Sequence, residues 1–355
     1  MKFKIGDRYV GDGYPCFITF EAGATHSGVE YAKNLVRLAS QAGADAVKFQ
    51  IFDVDRLVAD KHQLFKYKVL VDKDSGQTEE VEEPLYDILL RRSLTKKEWK
   101  AVKAVADGEN LAFFATVGFP DEIEFLEELG CHSIKIASSD VNHHPLIRSA
   151  ARTGMCIQLD TGNATLGEIE EAVDIVLQEG NQNILIHQCP SGYPAHLESI
   201  NLRIIPTLKQ MFQIPVAYSD HTPGWDMDIA AVALGANLVE KTITLDRTTR
   251  SVEHIFSLEP SEMNQFVQTI RTVETALGTS RRLMTEIEKQ KRSATRRSCF
   301  YNRTLYKGDV LTEDMIDYRR PGHGIAPDEV TKLIGKTVRN ECLEGQQIKW
   351  SDLEL

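Results

Sequence analysis

The sequence has no long apolar run, no clustered cysteines and no excess of positive charge. No stretch approaches the roughly 18 uninterrupted apolar residues of a membrane span. The six cysteines lack CxxC or zinc-knuckle spacing, which predicts reduced thiols. The first residues contain no apolar signal-peptide core, so a cytoplasmic protein is expected. A formal net charge of −11 argues against nucleic acid as the main partner, because phosphate binding needs surplus Lys and Arg.

Short apolar runs alternate eight times with helical stretches. They lie at 16–21, 45–50, 111–116, 133–138, 155–160, 183–188, 215–220 and 237–242. Each is nearly continuously apolar, as expected for a strand that is covered on both faces. No GxGxxG follows the first run, which disfavours a dinucleotide-binding sheet. The pattern therefore predicts a (β/α)₈ TIM barrel.

Composition changes along the chain indicate two domains. We predict a catalytic barrel over residues 1–280, a charged linker over 281–296 and a small β-rich domain over 297–355. The last segment contains short strands and tight turns such as KGD and EGQ. The connection at roughly 51–95 is long and polar, which is typical of a functional lid or a disordered segment.

Two lysines interrupt otherwise apolar predicted strands. Lys48 and Lys135 lie in VKF and IKI, and a buried lysine needs a charged partner. In a (β/α)₈ barrel the active site forms at the carboxyl ends of the strands. Together with the hydroxyls of Thr116, Ser138 and Ser219, the lysines are predicted to hold an anion with phosphate and carboxylate groups. The alternative is that each lysine is a salt-bridged structural residue.

Other polar residues end or follow the same predicted strands. Glu21 is a candidate general acid or base, and its alternative role is a structural salt bridge to Lys48. His221, within SDHTPG, is a candidate functional residue rather than a structural histidine. The remaining candidates at these strand ends are Gln50, Asp140, Asp160, Gln188, Ser191, Tyr193, Asp246 and Glu253.

These residues stand in motifs that resemble the bacterial sialic acid synthase family. EAGATHSG, DAVKFQIF, SIKIASSDVNHHPLI, CPSGYPA and YSDHTPG resemble family motifs in the same order. YRRPGHGI resembles a motif of the family's C-terminal antifreeze-like (SAF) domain. The resemblance implies a barrel enzyme that condenses phosphoenolpyruvate with an N-acylated amino-sugar aldehyde and releases phosphate. The family includes synthases of N-acetylneuraminic, legionaminic and pseudaminic acids and spore-coat polysaccharide proteins.

The resemblance also implies roles for individual residues. It assigns phosphoenolpyruvate to Lys48, Thr116, Lys135, Ser138 and Ser219, and the sugar to Glu21, Gln50 and Tyr193. His221 matches one of two histidines that hold a divalent metal, Mn²⁺ or Mg²⁺. Arg320 matches an arginine that one protomer inserts into its partner's active site, which implies a domain-swapped homodimer.

Departures from the family motifs gather at the sugar and metal end. Thr242 replaces the second metal histidine, and Glu253 stands where an aspartate contacts the sugar. Gln188 occupies a position that is often histidine, whereas His187 is expected to face the opposite way. The other departures are Thr25, Asp140 and Asp160. We therefore expect the same reaction type with a different aldehyde or an altered metal arrangement.

The departures leave three arrangements open for polarising the aldehyde. Asp160, Asp220 and Glu253 are candidate oxygen ligands for a metal, His254 is a candidate replacement for the missing histidine, and Lys241 is a candidate cation that polarises the aldehyde without metal.

A phosphoenolpyruvate-dependent octulosonate or heptulosonate phosphate synthase is a second interpretation of the function, with a basic cluster of Arg247, Arg250 and Arg320. A non-catalytic sugar-binding barrel that has lost its metal is the third.

Overall fold

A computed structural model describes residues 2–354 of the chain. The chain divides into two compact units, Met1–Gly278 and Thr279–Leu355, and each is described by itself. Within residues 2–354 no helix is both long enough and apolar enough to cross a membrane. The six cysteines are buried, and none of them is in a disulfide.

The strands of the first unit include short hairpins and one set of eight that forms a barrel. In chain order they are β1 (Lys2–Ile5), β2 (Arg8–Gly11), β3 (Phe17–Glu21), β4 (Ala46–Gln50), β5 (Leu64–Asp72), β6 (Gln77–Pro84), β7 (Ala112–Thr116), β8 (Ser133–Ile136), β9 (Cys156–Asp160), β10 (Ile184–Gln188), β11 (Val216–Asp220) and β12 (Leu238–Thr242).

Helices of this unit follow most of the barrel strands. They are α1 (Val29–Ala42), α2 (Val54–Leu57), α3 (Leu85–Leu90), α4 (Lys96–Gly108), α5 (Pro120–Glu128), α6 (His144–Arg152), α7 (Leu166–Gln178), α8 (Leu197–Ile200), α9 (Ile204–Phe212), α10 (Asp226–Ala233) and α11 (Pro260–Leu277). Helices α4 and α7, for example, begin with a capping box, Thr95 with Glu98 and Thr165 with Glu168, which satisfies the first free N–H groups of the helix.

Eight parallel strands close the barrel in the order β3, β4, β7, β8, β9, β10, β11, β12 and back to β3. The closing pair, β12 with β3, places Thr242 opposite Glu21. The prediction of a (β/α)₈ barrel is therefore confirmed.

Side chains alternate between the barrel interior and the helix layer along every strand. Outward residues such as Ile18, Phe49 and Ile157 belong to the large core under the helices. Inward residues near the amino ends of the strands, such as Phe17 and Phe114, form a second apolar layer with Phe3 from the β1–β2 hairpin. The lower part of the barrel is thus filled by apolar side chains, and the polar inward residues lie nearer the carboxyl ends.

The connection after β4 is an ordered insertion. Strands β5 and β6 pair as an antiparallel hairpin, and α3 follows directly. The hairpin residues Tyr67, Val69 and Val81 form a small core with Ile88 and with Val252 of the loop after β12. This long segment is therefore ordered, and it packs against the loop after β12.

The second unit is small and has its own core. Helix α12 (Glu286–Thr295) precedes the antiparallel strands β13 (Ser298–Tyr301) and β14 (Ile316–Arg319). Buried apolar side chains such as Tyr301, Leu311, Val338 and Ile348 form its core.

Candidate functional site

A cavity of about 390 Å³ opens at the carboxyl ends of the barrel strands. Its volume lies in the range typical of small-molecule sites. It brings together ten of the residues predicted from sequence: Glu21, Lys48, Gln50, Thr116, Ser138, Asp140, Asp160, Tyr193, His221 and Glu253.

The floor of the cavity is a network of buried charges. Glu240 Oε1 lies 2.8 Å from Lys48 Nζ and 2.7 Å from Lys135 Nζ. Lys48 also forms an ion pair with Glu21, and Lys135 Nζ lies 3.0 Å from Asp160 Oδ2. Each of these residues is at most 9% exposed. Both lysines are therefore paired with carboxylates, as expected if they have a structural role, and Lys48 also lines the candidate site.

Opposing effects set the protonation of this network. Burial alone would raise the pKa of Glu240, but Lys135 and Lys48 outweigh it and hold that pKa well below its usual range. For Glu21, burial raises the pKa more than Lys48 lowers it. Glu240 is thus the permanent anion of the floor, and Glu21 is the carboxyl group that takes up a proton more readily.

The predicted anion-binding residues occupy two levels. Lys48, Thr116 and Ser138 line the cavity itself. Lys135 and Ser219 are fully buried one step deeper, and their Nζ and Oγ atoms are 3.0 Å apart. Lys48 is therefore accessible from the cavity, whereas Lys135 lies behind the lining and pairs with Glu240 and Asp160.

His187, rather than Gln188, points into the barrel. Its Nδ1 lies 2.9 Å from Ser219 Oγ, and its Nε2 lies 2.8 Å from Gln158 Oε1. Burial, with Lys135, lowers the pKa of His187 to about 3, so its imidazole is neutral. The Gln188 side chain instead donates outward to the carbonyl of Ile200 at 2.7 Å. The expectation that Gln188 takes the strand-end position of the site was wrong, because the alternation of β10 turns it to the helix layer.

One wall of the cavity is aromatic. The rings of Tyr193 and His221 have centroids 4.7 Å apart, and Phe256 lies 5.8 Å from His221. Pro190 O lies 3.1 Å from His221 Nδ1, which makes Nδ1 the protonated nitrogen of the neutral ring. Burial lowers the pKa of His221 to about 4, so its Nε2 is a free acceptor at neutral pH.

The cavity lining also includes an arginine that the sequence interpretation missed. Arg92, from the turn between α3 and α4, lines the cavity with Glu253. Thr242 Oγ1 lies 3.4 Å from Glu253 Oε2. Burial raises the pKa of Glu253 to about 7, although the charge of Arg92 opposes the rise. Near neutral pH the cavity lining therefore presents a fixed cation and a carboxyl group that readily takes up a proton.

The described side chains do not by themselves form a metal site. Across residues 2–354 no three or more His, Cys, Asp or Glu side chains are grouped so as to hold an ion. The Thr242 hydroxyl is engaged by Glu253, and His254 Nδ1 is 2.7 Å from Thr244 Oγ1. His221 is thus a single nitrogen donor without a second imidazole, and the metal stays a prediction.

Besides Lys135 and Ser219, three more predicted site residues lie outside the cavity lining. Asp246 forms an ion pair with Lys73 of the β5–β6 hairpin at 2.9 Å. The Ser191 hydroxyl donates to the carbonyl of Gly162 at 2.7 Å. Arg320 is exposed in the second unit. The hairpin and the β9 loop therefore give Asp246 and Ser191 partners of their own.

The basic residues that the alternative interpretations relied on form ion pairs outside the cavity. Lys241 is completely buried outside the barrel, in an ion pair with Asp220. Arg247 lies 3.2 Å from Glu262, and Arg250 lies 4.0 Å from Glu79. Neither Lys241 nor these arginines line the cavity.

Alternation along the strands was the missed signal for two of the functional residues. Glu240 and His187 each lie two positions from a residue that points into the barrel, Thr242 and Cys189 respectively. Arg92 had no such signal, because it belongs to an irregular turn.

Replacing Glu253 by glutamine is expected to remove a pH-dependent cost to stability. The unfolded chain ionises Glu253 near pH 4.5 and the folded chain near pH 7, so the wild type loses stability relative to Glu253→Gln across that interval. Above about pH 8 the difference should level off at about 3 kcal/mol. Urea unfolding of both proteins between pH 5 and 8 measures it. Glu124→Gln, at an exposed position of α5, is the control and should follow the wild type. A Glu253→Gln difference that stays constant with pH contradicts the prediction.

Comparison with known proteins identifies the family. Residues 35–282 match the NeuB family model, and residues 296–354 match the SAF domain model. The N,N'-diacetyllegionaminic acid synthase of Legionella pneumophila is 34% identical over 97% of this chain and 96% of its own length. Human N-acetylneuraminate-9-phosphate synthase is 32% identical, with 93% and 90% covered. The structure of the N-acetylneuraminic acid synthetase of Leptospira borgpetersenii has a TM-score of 0.71 at 28% identity, over 82% of this chain and 95% of that one. The chain belongs to the NeuB family and carries a C-terminal SAF domain.

Proposed function

We propose that this chain condenses phosphoenolpyruvate with an N-acylated amino-sugar aldehyde, forming a nine-carbon nonulosonic acid and releasing phosphate. NeuB-family membership makes the chain a phosphoenolpyruvate-dependent synthase. The observation that carries the proposal is the buried Lys48–Glu240–Lys135 network beneath a cavity that Glu21 also lines. A barrel that only bound sugar would have no need of two buried lysines at this depth.

The reaction forms one carbon–carbon bond and one carbon–oxygen bond to the water oxygen, and it breaks one carbon–oxygen bond to phosphate. C3 of phosphoenolpyruvate attacks the aldehyde carbon, and a proton is taken up by the resulting alkoxide. Water adds to C2 and loses one proton, and the tetrahedral intermediate then collapses to the C2 ketone. The bond from C2 to the phosphate oxygen breaks in that collapse, and inorganic phosphate leaves with the remaining water proton. Positive charge at the floor stabilises the departing phosphate, and Lys48 is the group that reaches the cavity.

Glu21 is placed to handle the water or its proton. Its raised pKa, caused by burial, brings the carboxyl group closer to neutrality, where a general acid or base works best. Ala24 N donates to Glu21 Oε1 at 3.1 Å, which fixes the carboxyl orientation. Gly23 permits this close turn, since a Cβ there would lie 2.4 Å from Gln50 N.

Two competing functions are less well supported. An octulosonate or heptulosonate phosphate synthase was expected to use a basic cluster of Arg247, Arg250 and Arg320. Arg247 and Arg250 lie outside the cavity lining and pair with Glu262 and Glu79 instead. A non-catalytic barrel is disfavoured by Glu21, which is held beside Lys48 in the cavity.

Phosphate release from phosphoenolpyruvate tests the function directly. The purified full chain should release phosphate only when an N-acylated amino-sugar aldehyde is added, and mass spectrometry should find the condensed sugar acid. Glu21→Gln should lower kcat on the order of 10²-fold or more, because a positioned acid or base contributes that much. Its effect on substrate affinity should be much smaller.

Glu124→Gln, on the exposed face of α5, is the matched control and should keep wild-type turnover. No release with any aldehyde of the panel, from a folded protein, would leave a binding barrel as the better interpretation. Turnover of Glu21→Gln within a few-fold of wild type removes Glu21 from the chemistry.

For the metal, we propose that Mn²⁺ or Mg²⁺ binds this chain weakly. His221 supplies one imidazole, and a neutral hydroxyl at Thr242 is a poor substitute for a second. Thr242→His should tighten Mn²⁺ binding at least about tenfold, measured by isothermal titration calorimetry of the free protein. Thr244→His, beside the site but bonded to His254, is the control. Equal Mn²⁺ affinity in wild type and Thr242→His contradicts the proposal.

For the assembly, we propose a domain-swapped homodimer in which Arg320 acts in the partner's site. Arg320 is exposed and precedes Pro321, which stiffens the backbone that presents it. Mixing a Glu21→Gln chain with an Arg320→Ala chain should restore activity at about a quarter of the sites after random exchange.

The neighbouring Arg319→Ala serves as the control in this mixing experiment. Arg319 pairs with Asp317 at 2.7 Å, so this variant should stay active alone. Chain exchange is followed by native mass spectrometry of differently tagged chains. Complete exchange without recovery of activity overturns the trans arrangement.

A further inference from the structure

Arg92 is a buried cation to which the proposed reaction assigns no role. It lines the cavity, and only 5% of its surface is exposed. Its Nη2 donates to Ser251 Oγ at 3.1 Å. Within the described part of the chain no carboxylate oxygen lies within 4.0 Å of its guanidinium nitrogens. The adjacent Arg91, by contrast, makes a two-point ion pair with Glu83 at 3.0 and 2.6 Å.

An unpaired buried guanidinium is costly. A charge removed from water normally gains a partner of opposite sign, because the lost hydration is otherwise not replaced. Burial lowers the pKa of Arg92, yet an arginine remains charged in proteins. Its planar fork therefore offers several N–H donors to the cavity, in the geometry that matches a carboxylate or a phosphate.

Glu253 does not fill this role in the structure. Its carboxyl group contacts Thr242 instead, and burial keeps its pKa at about 7 in spite of Arg92. A carboxylate in direct contact with a guanidinium would titrate far lower. Both groups line the same cavity, so a ligand group can enter between them.

The position of Arg92 indicates which substrate supplies the anion. The acidic groups that act most strongly on its charge are Glu253, Glu21 and Tyr193. The family resemblance assigns these positions to the sugar. The lysines of the floor, predicted to hold phosphoenolpyruvate, form a separate group around Glu240.

We propose that Arg92 binds an anionic substituent, a carboxylate or a phosphate, on the acceptor aldehyde. The inference rests on the proposed function and narrows its substrate class. The acceptor is then an acylated amino sugar with a fixed negative charge at a distance from the aldehyde. Arg92 is a specificity-determining residue, since it contacts a part of the substrate that does not react.

Steady-state kinetics with three matched acceptors tests this. The acceptors are an N-acetylated hexosamine, its 6-phosphate and the corresponding uronic acid. The wild type should use one or both anionic acceptors at least about tenfold better in kcat/KM than the neutral one. Arg92→Gln should lower kcat/KM for the anionic acceptors on the order of 10- to 100-fold and change the neutral one less than about threefold. The KM for phosphoenolpyruvate should not change.

Two variants serve as controls. Arg91→Gln removes an exposed arginine outside the cavity and should match the wild type on all acceptors. Arg92→Lys keeps the charge and should retain the preference for anions with a smaller margin. If Arg92→Gln does not fold, the wild-type and Arg92→Lys profiles decide the question.

Three outcomes overturn the proposal. The wild type prefers the neutral sugar or uses all three equally, the Arg92→Gln defect falls equally on every acceptor, or it falls on the KM for phosphoenolpyruvate. In each case the proposed function still stands, because turnover with an amino-sugar aldehyde is observed. Absence of phosphate release with every acceptor instead overturns the proposed function, and this inference with it.

Discussion

The buried ion pairs of Glu240 with Lys48 and Lys135 are the constraint around which the barrel interior is arranged. Two ammonium groups inside a barrel lose their hydration, and the shared carboxylate at 2.7 to 2.8 Å replaces it. Removing one partner of such a pair typically costs about 3 to 5 kcal/mol, because the other charge is left uncompensated. The floor is therefore stable only as a complete set, which fixes the position of each lysine without any ligand.

This arrangement couples substrate binding to protons. An anion that enters the cavity meets Lys48, which is already shared between Glu21 and Glu240. Added negative charge raises the pKa of nearby carboxyl groups. Glu21 and Glu253, whose pKa values burial has already raised, are the groups that respond. Binding of an anionic substrate is thus expected to be accompanied by proton uptake at these two side chains, while Glu240 stays ionised.

The sequence predicted the barrel and the lysines well because both depend on local pattern. Apolar runs identify strands that are covered on both faces, and a lysine within such a run must face a partner. Glu240 and His187 were missed because the strand ends were considered rather than the alternation along each strand, which turns Glu240 inward and Lys241 outward. The role of Arg92 depends on where an irregular turn meets the loop that carries Ser251, and no periodicity encodes that contact.

The cavity therefore has two parts with different freedom to vary. Its floor is carried by strands, where a change of one charged side chain leaves its buried partners uncompensated. Its wall is carried by the insertion after β4 and the loop after β12, which meet through Tyr67, Ile88 and Val252. Loops of this kind change with little effect on the barrel. The wall residues Glu253 and Arg92 stand on these connections, and Thr242 lies beside them at the end of β12. A chain can thus keep the condensation with phosphoenolpyruvate and alter the aldehyde that it accepts, because the two tasks rest on different elements of the fold.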